Sequence, residues 1–211
     1  MEPLRPNTYY HIYNHANGDD NLFRERKNYS FFLAKYEKHI APIADTIAWC
    51  LMPNHFHLLV RIKSEEDLAT AFPTSLAFPK FQTLEKLSSS SELSISNFLS
   101  KQFSNFFSSY TQSFNKEYKR RGSLFLKNFK RKKATNDAYL QALVLYIHLN
   151  PVKHGFTSGL DDWEWTSYHD VPKRFPILVT HFFGDEEQYQ SRHQEKISFF
   201  AEYLKLENEL T

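Results

Sequence analysis

With 211 residues, of which 17% are aromatic, the chain is long enough to bury one sizeable core and still carry an appended subdomain. Only five glycines and the lack of any GxGxxG or Walker pattern exclude a glycine-rich phosphate loop, and a single cysteine, Cys50, excludes a disulfide framework or a Cys-based zinc site. The net charge of +2 hides a local imbalance: nine Lys or Arg against one acid lie between Lys116 and Lys133, and the stretch from Gly184 to Thr211 leans acidic.

In chain order, the opening Met1-Glu2-Pro3-Leu4-Arg5 has no signal-like pattern and no later run reaches transmembrane length, so a soluble cytoplasmic protein is expected. Tyr9 to Tyr13 reads as a first strand, Asn14 to Asn21 as turn chemistry, and about Lys27 to Ile40 as a helix. A second strand is predicted from Ile43 to Met52. Pro53-Asn54 then turns the chain into a hairpin partner, His55-Phe56-His57-Leu58-Leu59-Val60.

Strand side chains alternate between faces, so His55, His57, Leu59 and Arg61 share one side, and Phe56, Leu58, Val60 and Ile62 share the other. The second set is a core face. The first puts two imidazoles side by side, which is consistent either with a divalent-metal site or with two ordinary sheet histidines.

Residues 64 to 101, with Pro73, Pro79 and a Ser88–Ser91 run, read as an irregular insertion leading into a helix of about Ser96 to Lys119. The stripe Phe103, Phe106, Phe107, Tyr110 and Phe114 has helical spacing and is read as core packing. An extended basic segment runs from Leu126 to Lys133; Phe125 just before it and Phe129 within it are candidates to stack unpaired bases. Thr135 or Asn136 caps the next helix, which Pro151 is expected to stop. On it Leu140, Val144 and Ile147 form the core stripe, while Tyr139, Leu143, Tyr146 and Asn150 fall on an adjacent side. Tyr146 and Asn150 lie one turn apart and can reach a common point. A last amphipathic helix is predicted near Glu186 to Leu206, packing on the outside.

Several of these segments resemble one family. The hairpin Ala48 to Val60 is similar to the histidine–hydrophobic–histidine (HUH) motif of single-tyrosine transposases. Tyr146-Ile147-His148-Leu149-Asn150-Pro151-Val152-Lys153-His154-Gly155 resembles the signature of their REP-associated branch. Tyr10 to Asn14, Gly122 to Phe125 and Trp163 to Tyr168 add further matches, in order, over roughly residues 7 to 170.

The resemblance implies an α+β fold, with a ferredoxin-like antiparallel sheet, helices packed on one face and the site on the other. Residues 1–170 would form the transposase domain and 171–211 a C-terminal helical extension. It also implies the chemistry: cutting and rejoining single-stranded DNA beside a hairpin through a covalent 5′-phosphotyrosine. Carried over by position, Tyr146 is the nucleophile, and His55, His57 and Asn150 are the metal ligands for Mg²⁺ or Mn²⁺. Some relatives carry Gln where this chain has the shorter Asn150.

A phosphodiester repels nucleophiles, and a bound divalent cation offsets that charge. Lys119, Arg120, Arg121, Lys127, Lys130, Arg131, Lys132 and Lys133, with Lys116 before them, would track DNA phosphates. The expected partner is single-stranded or hairpin DNA, with a homodimer among the open assemblies. Two competing readings are a catalytically silent, domesticated binder of structured nucleic acid, and an unrelated metallohydrolase that uses His55 and His57 but not Tyr146.

Overall fold

The computed structural model describes residues 2–73 and 89–209. Pro79 and part of the predicted insertion lie outside the described residues. Four strands form one antiparallel sheet: β1 (Tyr9–His15), β2 (Ala44–Met52), β3 (His55–Ile62) and β4 (Lys130–Lys133), in the order β2-β3-β1-β4. Helix α1 (Arg26–His39) connects β1 to β2, and α2 (Glu65–Ala71) and α3 (Ser89–Glu117) lie between β3 and β4. This is the βαββαβ order of a ferredoxin-like fold, as expected.

Each face of the sheet follows from alternation. Tyr10, Ile12, Leu51, Phe56, Leu58, Val60 and Ile62 turn to one side, where they pack with Phe32 and Tyr36 of α1 and the Phe103–Phe106–Phe107–Tyr110–Phe114 stripe of α3. A bulge between Thr46 and Ala48 in the β2–β3 pairing shifts the phase of β2, so Trp49 and Leu51 keep the inward side. The aromatic stripe of α3 is core, as its spacing predicts.

The opposite face carries Ala48, Cys50, Met52 and Leu59, and α4 (Asp137–Lys153) lies on it with Leu140, Leu143, Val144 and Ile147. Asn136 caps α4, its side chain accepting from the Tyr139 amide at 2.9 Å. Pro151 does not stop this helix, contrary to the local rule. Its missing N–H forfeits only the bond to the Ile147 carbonyl, and the His154 amide closes one more turn on the Asn150 carbonyl at 3.0 Å.

Part of the region read as irregular is ordered for a local reason. Ser64 caps α2 by accepting from the Asp67 amide at 3.1 Å, above an acidic first turn. The segment before β4 extends the pairing of β1, since the Leu126 amide donates to the His15 carbonyl at 3.0 Å.

Residues 165–167 line the free edge of β2: the Leu51 amide donates to the Trp165 carbonyl at 2.9 Å and the Ser167 amide to the Trp49 carbonyl at 3.0 Å. Helices α5 (Val171–Arg174), α6 (Pro176–Phe183) and α7 (Glu186–Glu209) follow. Val179, Phe183 and Tyr189 bury the outer side of α4, so α4 is apolar nearly all round. Among the described residues no helix is long and apolar enough to cross a membrane.

Candidate active site

β3 supplies His55 and His57 to the face that α4 covers, and β1, its neighbour, adds His11, Tyr13 and His15 in register: Tyr13 lies opposite His57 and His15 opposite His55. The imidazoles are in contact. Nε2 of His11 is 2.9 Å from Nδ1 of His57, and the rings of His15 and His55 stack at 4.4 Å. Nδ1 of His55 lies 2.7 Å from the Asn54 side-chain oxygen. An amide oxygen only accepts, so His55 carries its proton on Nδ1 and leaves the Nε2 lone pair available.

Helix α4 lays Tyr146, Asn150 and His154 over this floor at four-residue intervals. The Tyr146 ring stands edge-on to His57 at 5.3 Å and to His11 at 5.9 Å, and the His154 ring meets His55 at 5.0 Å. Asn150 emerges between these two contacts, fully buried. Its side-chain nitrogen donates to the Tyr146 carbonyl at 2.7 Å, while its Oδ1 is buried without any partner. A buried orphan acceptor is costly in a folded protein, and it points to a missing electropositive group.

Burial dominates the electrostatics. Desolvation, with the nearby imidazoles adding, pushes His55 down to about 3 and His57 to about 2. Desolvation and the Lys132 charge take His11 to about 4. These rings are therefore neutral at physiological pH, the state in which imidazole binds metal. Among the described residues no three His, Cys, Asp or Glu side chains make a metal cage by themselves. A cation held by His55 and His57 would need a donor of another kind, such as the Asn150 amide oxygen.

Beside the histidines a cleft of about 410 Å³ is lined by His11, Tyr13, His57, Lys132, Tyr139 and Tyr146. Tyr146 is 38% exposed within it, with the Lys153 ammonium 5.4 Å from its ring centre. Tyr139, two turns earlier, sits under the Lys132 ammonium at 5.0 Å.

The basic block is divided. Lys132 and Lys130 pair with His11 and Tyr13 and so share the Tyr146 side of the sheet. Arg131 projects to the other side, where its Nη1 donates to Ser100 Oγ of α3 at 2.8 Å. Arg120 is an internal tie: it binds Asp20 at 2.6 Å and also reaches Asn115 Oδ1 and the Ser123 carbonyl, both at 2.9 Å. Lys119, Arg121, Lys127 and Lys133 are exposed. Phe125 and Phe129 are not available to stack bases, because Phe125 is buried and Phe129 packs on Phe103 and Phe107 at 5.2 and 5.4 Å.

His148 points away from the site. It is fully buried and bonded to Ser167 Oγ at 2.9 Å and His193 at 3.1 Å. The contacts of His11, His15, His154 and Lys153 with the predicted residues were not legible from spacing alone. Alternation puts His11, Tyr13 and His15 on one side of β1, yet nothing local says that β1 lies beside β3.

The class defined here is a ferredoxin-like α+β fold with a His-x-His strand beneath a tyrosine-bearing helix. A solved REP-associated tyrosine transposase bound to a REP hairpin shares the fold, with a TM-score of 0.53 over 82% of this chain and 84% of that one, at 18% identity. A Haemophilus influenzae protein named as a REP-associated tyrosine transposase is 26% identical over 125 residues, 59% of this chain. The chain spans 59% of the length of that curated relative. No family model matches it. The chain is thus similar in sequence to one protein of that name and in fold to another.

Proposed function

We propose that the protein is a metal-dependent transesterase that nicks and rejoins single-stranded DNA next to a hairpin, as a transposase or a resident relative of one. The observation that carries this reading is the position of Tyr146: exposed in a cleft, edge-on to His57 at 5.3 Å, with Asn150 one turn along the same helix. The similarity to REP-associated tyrosine transposases, one of them solved on a hairpin, supports the substrate class.

His55, His57 and Asn150 would hold the cation. The donor set fits: His55 offers Nε2 because Asn54 takes its Nδ1 proton, His57 does the same when His11 Nε2 accepts from its Nδ1, and Asn150 Oδ1 has no other partner. With two nitrogens and a neutral oxygen the site suits Mn²⁺ better than Mg²⁺. When bound, the ion supplies positive charge against the scissile phosphate.

The chain's own part is positional. Helix α4 places Tyr146 in the cleft, Lys132 lines the same cleft, and Lys153 lies over the phenol ring, so a phosphate entering there meets positive charge beside the nucleophile. The phenol oxygen bonds to phosphorus as the bond from phosphorus to the 3′ oxygen breaks. The proton lost by the phenol is matched by the one gained at the free 3′-OH. The tyrosyl ester keeps the bond energy, so attack by a 3′-OH reverses the step without ATP.

The test is incubation with hairpin-bearing single strands, followed by denaturing electrophoresis and mass mapping of the adduct. A phosphotyrosine at residue 146 that disappears in Tyr146→Phe is expected. Undiminished nicking by that variant overturns the reading. Failure of the wild-type protein to bind Mn²⁺ at millimolar concentration would favour a silent nucleic-acid-binding relative instead.

A further inference from the structure

Strand β4 is the free edge of the sheet, and its alternation sends consecutive cations to opposite sides. Lys132 lines the Tyr146 cleft. Arg131, the next residue back, lines a second groove of about 520 Å³ on the far side, between α3 and the segment that leads into β4. Phe107, Phe125 and Phe129 also line it, with their rings packed on one another and on Phe103 of α3. One wall is the polar side of α3, where Ser104, Ser108 and Thr111 recur one helical turn apart beside Gln112. The opposite wall brings Lys127 and Asn128, the latter at a positive φ of 62° that turns the chain around the groove.

The Arg131 guanidinium lies over the Phe129 ring at 5.4 Å and is anchored to Ser100, yet its Nε is buried with no acceptor. Among the described residues only two buried side-chain polar atoms lack a partner, Asn150 Oδ1 and this one. Arg131 lines this groove, and Asn150 is buried one turn beyond Tyr146 on α4.

We propose that the groove between α3 and β4 is a second binding subsite, which takes one unpaired nucleotide of a DNA strand that crosses the β4 edge from the Tyr146 cleft. This rests on the reading of the ligand as single-stranded DNA. Cations at Arg131 and Lys127 suit the phosphate, and hydroxyl and amide groups on α3 suit the polar rim of a base. Lys130 and Lys132 on the near side and Arg131 on the far side form a continuous cationic path around the edge.

The experiment is fluorescence anisotropy with 5′-fluorescein oligothymidylate ten nucleotides long. Ser104 and Ser108 are exposed on a helix surface, so Ser104→Leu and Ser108→Leu fill the groove without touching the core. Each is expected to weaken binding about tenfold, with an unchanged melting curve. Arg131→Gln should do the same and also flatten the salt dependence. An oligomer with abasic units should bind wild type as weakly as thymidylate binds the filled variants. Unchanged affinity in both leucine variants overturns the subsite, and so does equal binding of the abasic strand. Failure of the catalytic reading looks different: wild type binds the oligomer, the groove variants lose affinity, and no strand is nicked. A wild-type protein that binds no single strand would overturn both.

Discussion

His11 Nε2 and His57 Nδ1 face each other across β1 and β3 at 2.9 Å, so the two rings orient each other and their tautomers are coupled: His57 offers Nε2 when His11 Nε2 accepts. A histidine ligand needs that second nitrogen held, and loss of the holder typically costs 10–100-fold in metal affinity, by order of magnitude. His11→Ala should therefore weaken Mn²⁺ binding about tenfold or more by calorimetry. Its ¹⁵N spectrum should show His57 in mixed tautomers. His11→Gln, whose amide oxygen can accept from Nδ1, should recover most of the affinity. Equal Mn²⁺ affinity in wild type and His11→Ala would remove the positioning role.

Asn150 gives a prediction of opposite sign for stability and for binding. Its Oδ1 is buried and unpartnered, so the metal-free protein carries a penalty on the order of 1–3 kcal/mol there. Asn150→Leu loses the bond from Nδ2 to the Tyr146 carbonyl but removes the orphan, so metal-free stability should hold steady or rise. The shift in Tm that Mn²⁺ produces in wild type should vanish. A large loss of metal-free stability, with the Mn²⁺ shift intact, would contradict this account.

The basic block should separate into two behaviours. Lys132→Ala should leave stability within about 0.5 kcal/mol, since the side chain is exposed. It should lower the slope of log K against log salt for single strands by about 0.7. Arg120→Ala should instead destabilise by roughly 1–3 kcal/mol, because its partner Asp20 and two acceptors lose a shared donor. Denaturant melts and salt titrations on the two variants decide this.

Acid should loosen the contact between α4 and α7. His193 is buried, its Nδ1 is 2.7 Å from the Tyr189 carbonyl, and desolvation lowers it to about 4. The unfolded chain takes up this proton near pH 6.5, before the folded chain does. The stabilising contribution is therefore complete above about pH 6.5 and is lost as the pH falls toward 4. By pH 5 the loss from this residue is roughly 2 kcal/mol. Urea melts at pH 7.5 and 5 should show it, and His193→Gln should shrink the difference. A wild-type protein equally stable at both would argue against a neutral buried His193.

Much of the fold was readable because alternation is a strong signal where one face is apolar. Phe56, Leu58, Val60 and Ile62 separate from His55 and His57 on that basis alone, and the four-residue interval between Tyr146 and Asn150 follows from helix geometry. Strand adjacency is a different kind of information. That β1 lies between β3 and β4, and so brings His11, His15 and Lys132 to His57, depends on packing over the whole chain.

Local rules also fail where tertiary contacts outbid them. Pro151 reads as a stop, but one lost bond near a helix end is cheap beside the burial of α4 on two sides. Phe125 and Phe129, set among cations, look like stacking residues until the α3 aromatics claim them. Arg120 looks like any other member of a charge run, since the Asp20 that holds it is 100 positions away.

The lysine-rich β4 strand has a further consequence, for self-association. An unpaired strand edge is a template on which a second copy can extend the sheet, and exposed like charges are among the means by which proteins prevent this. Here Lys130, Arg131, Lys132 and Lys133 occupy that rim, and the Glu2 carboxylate accepts from the Lys133 amide at 3.1 Å. Two such rims repel one another. The border that attracts a polyanion thus also keeps neighbouring molecules apart, and only where that polyanion neutralises it is sheet-to-sheet contact between copies relieved of its electrostatic cost.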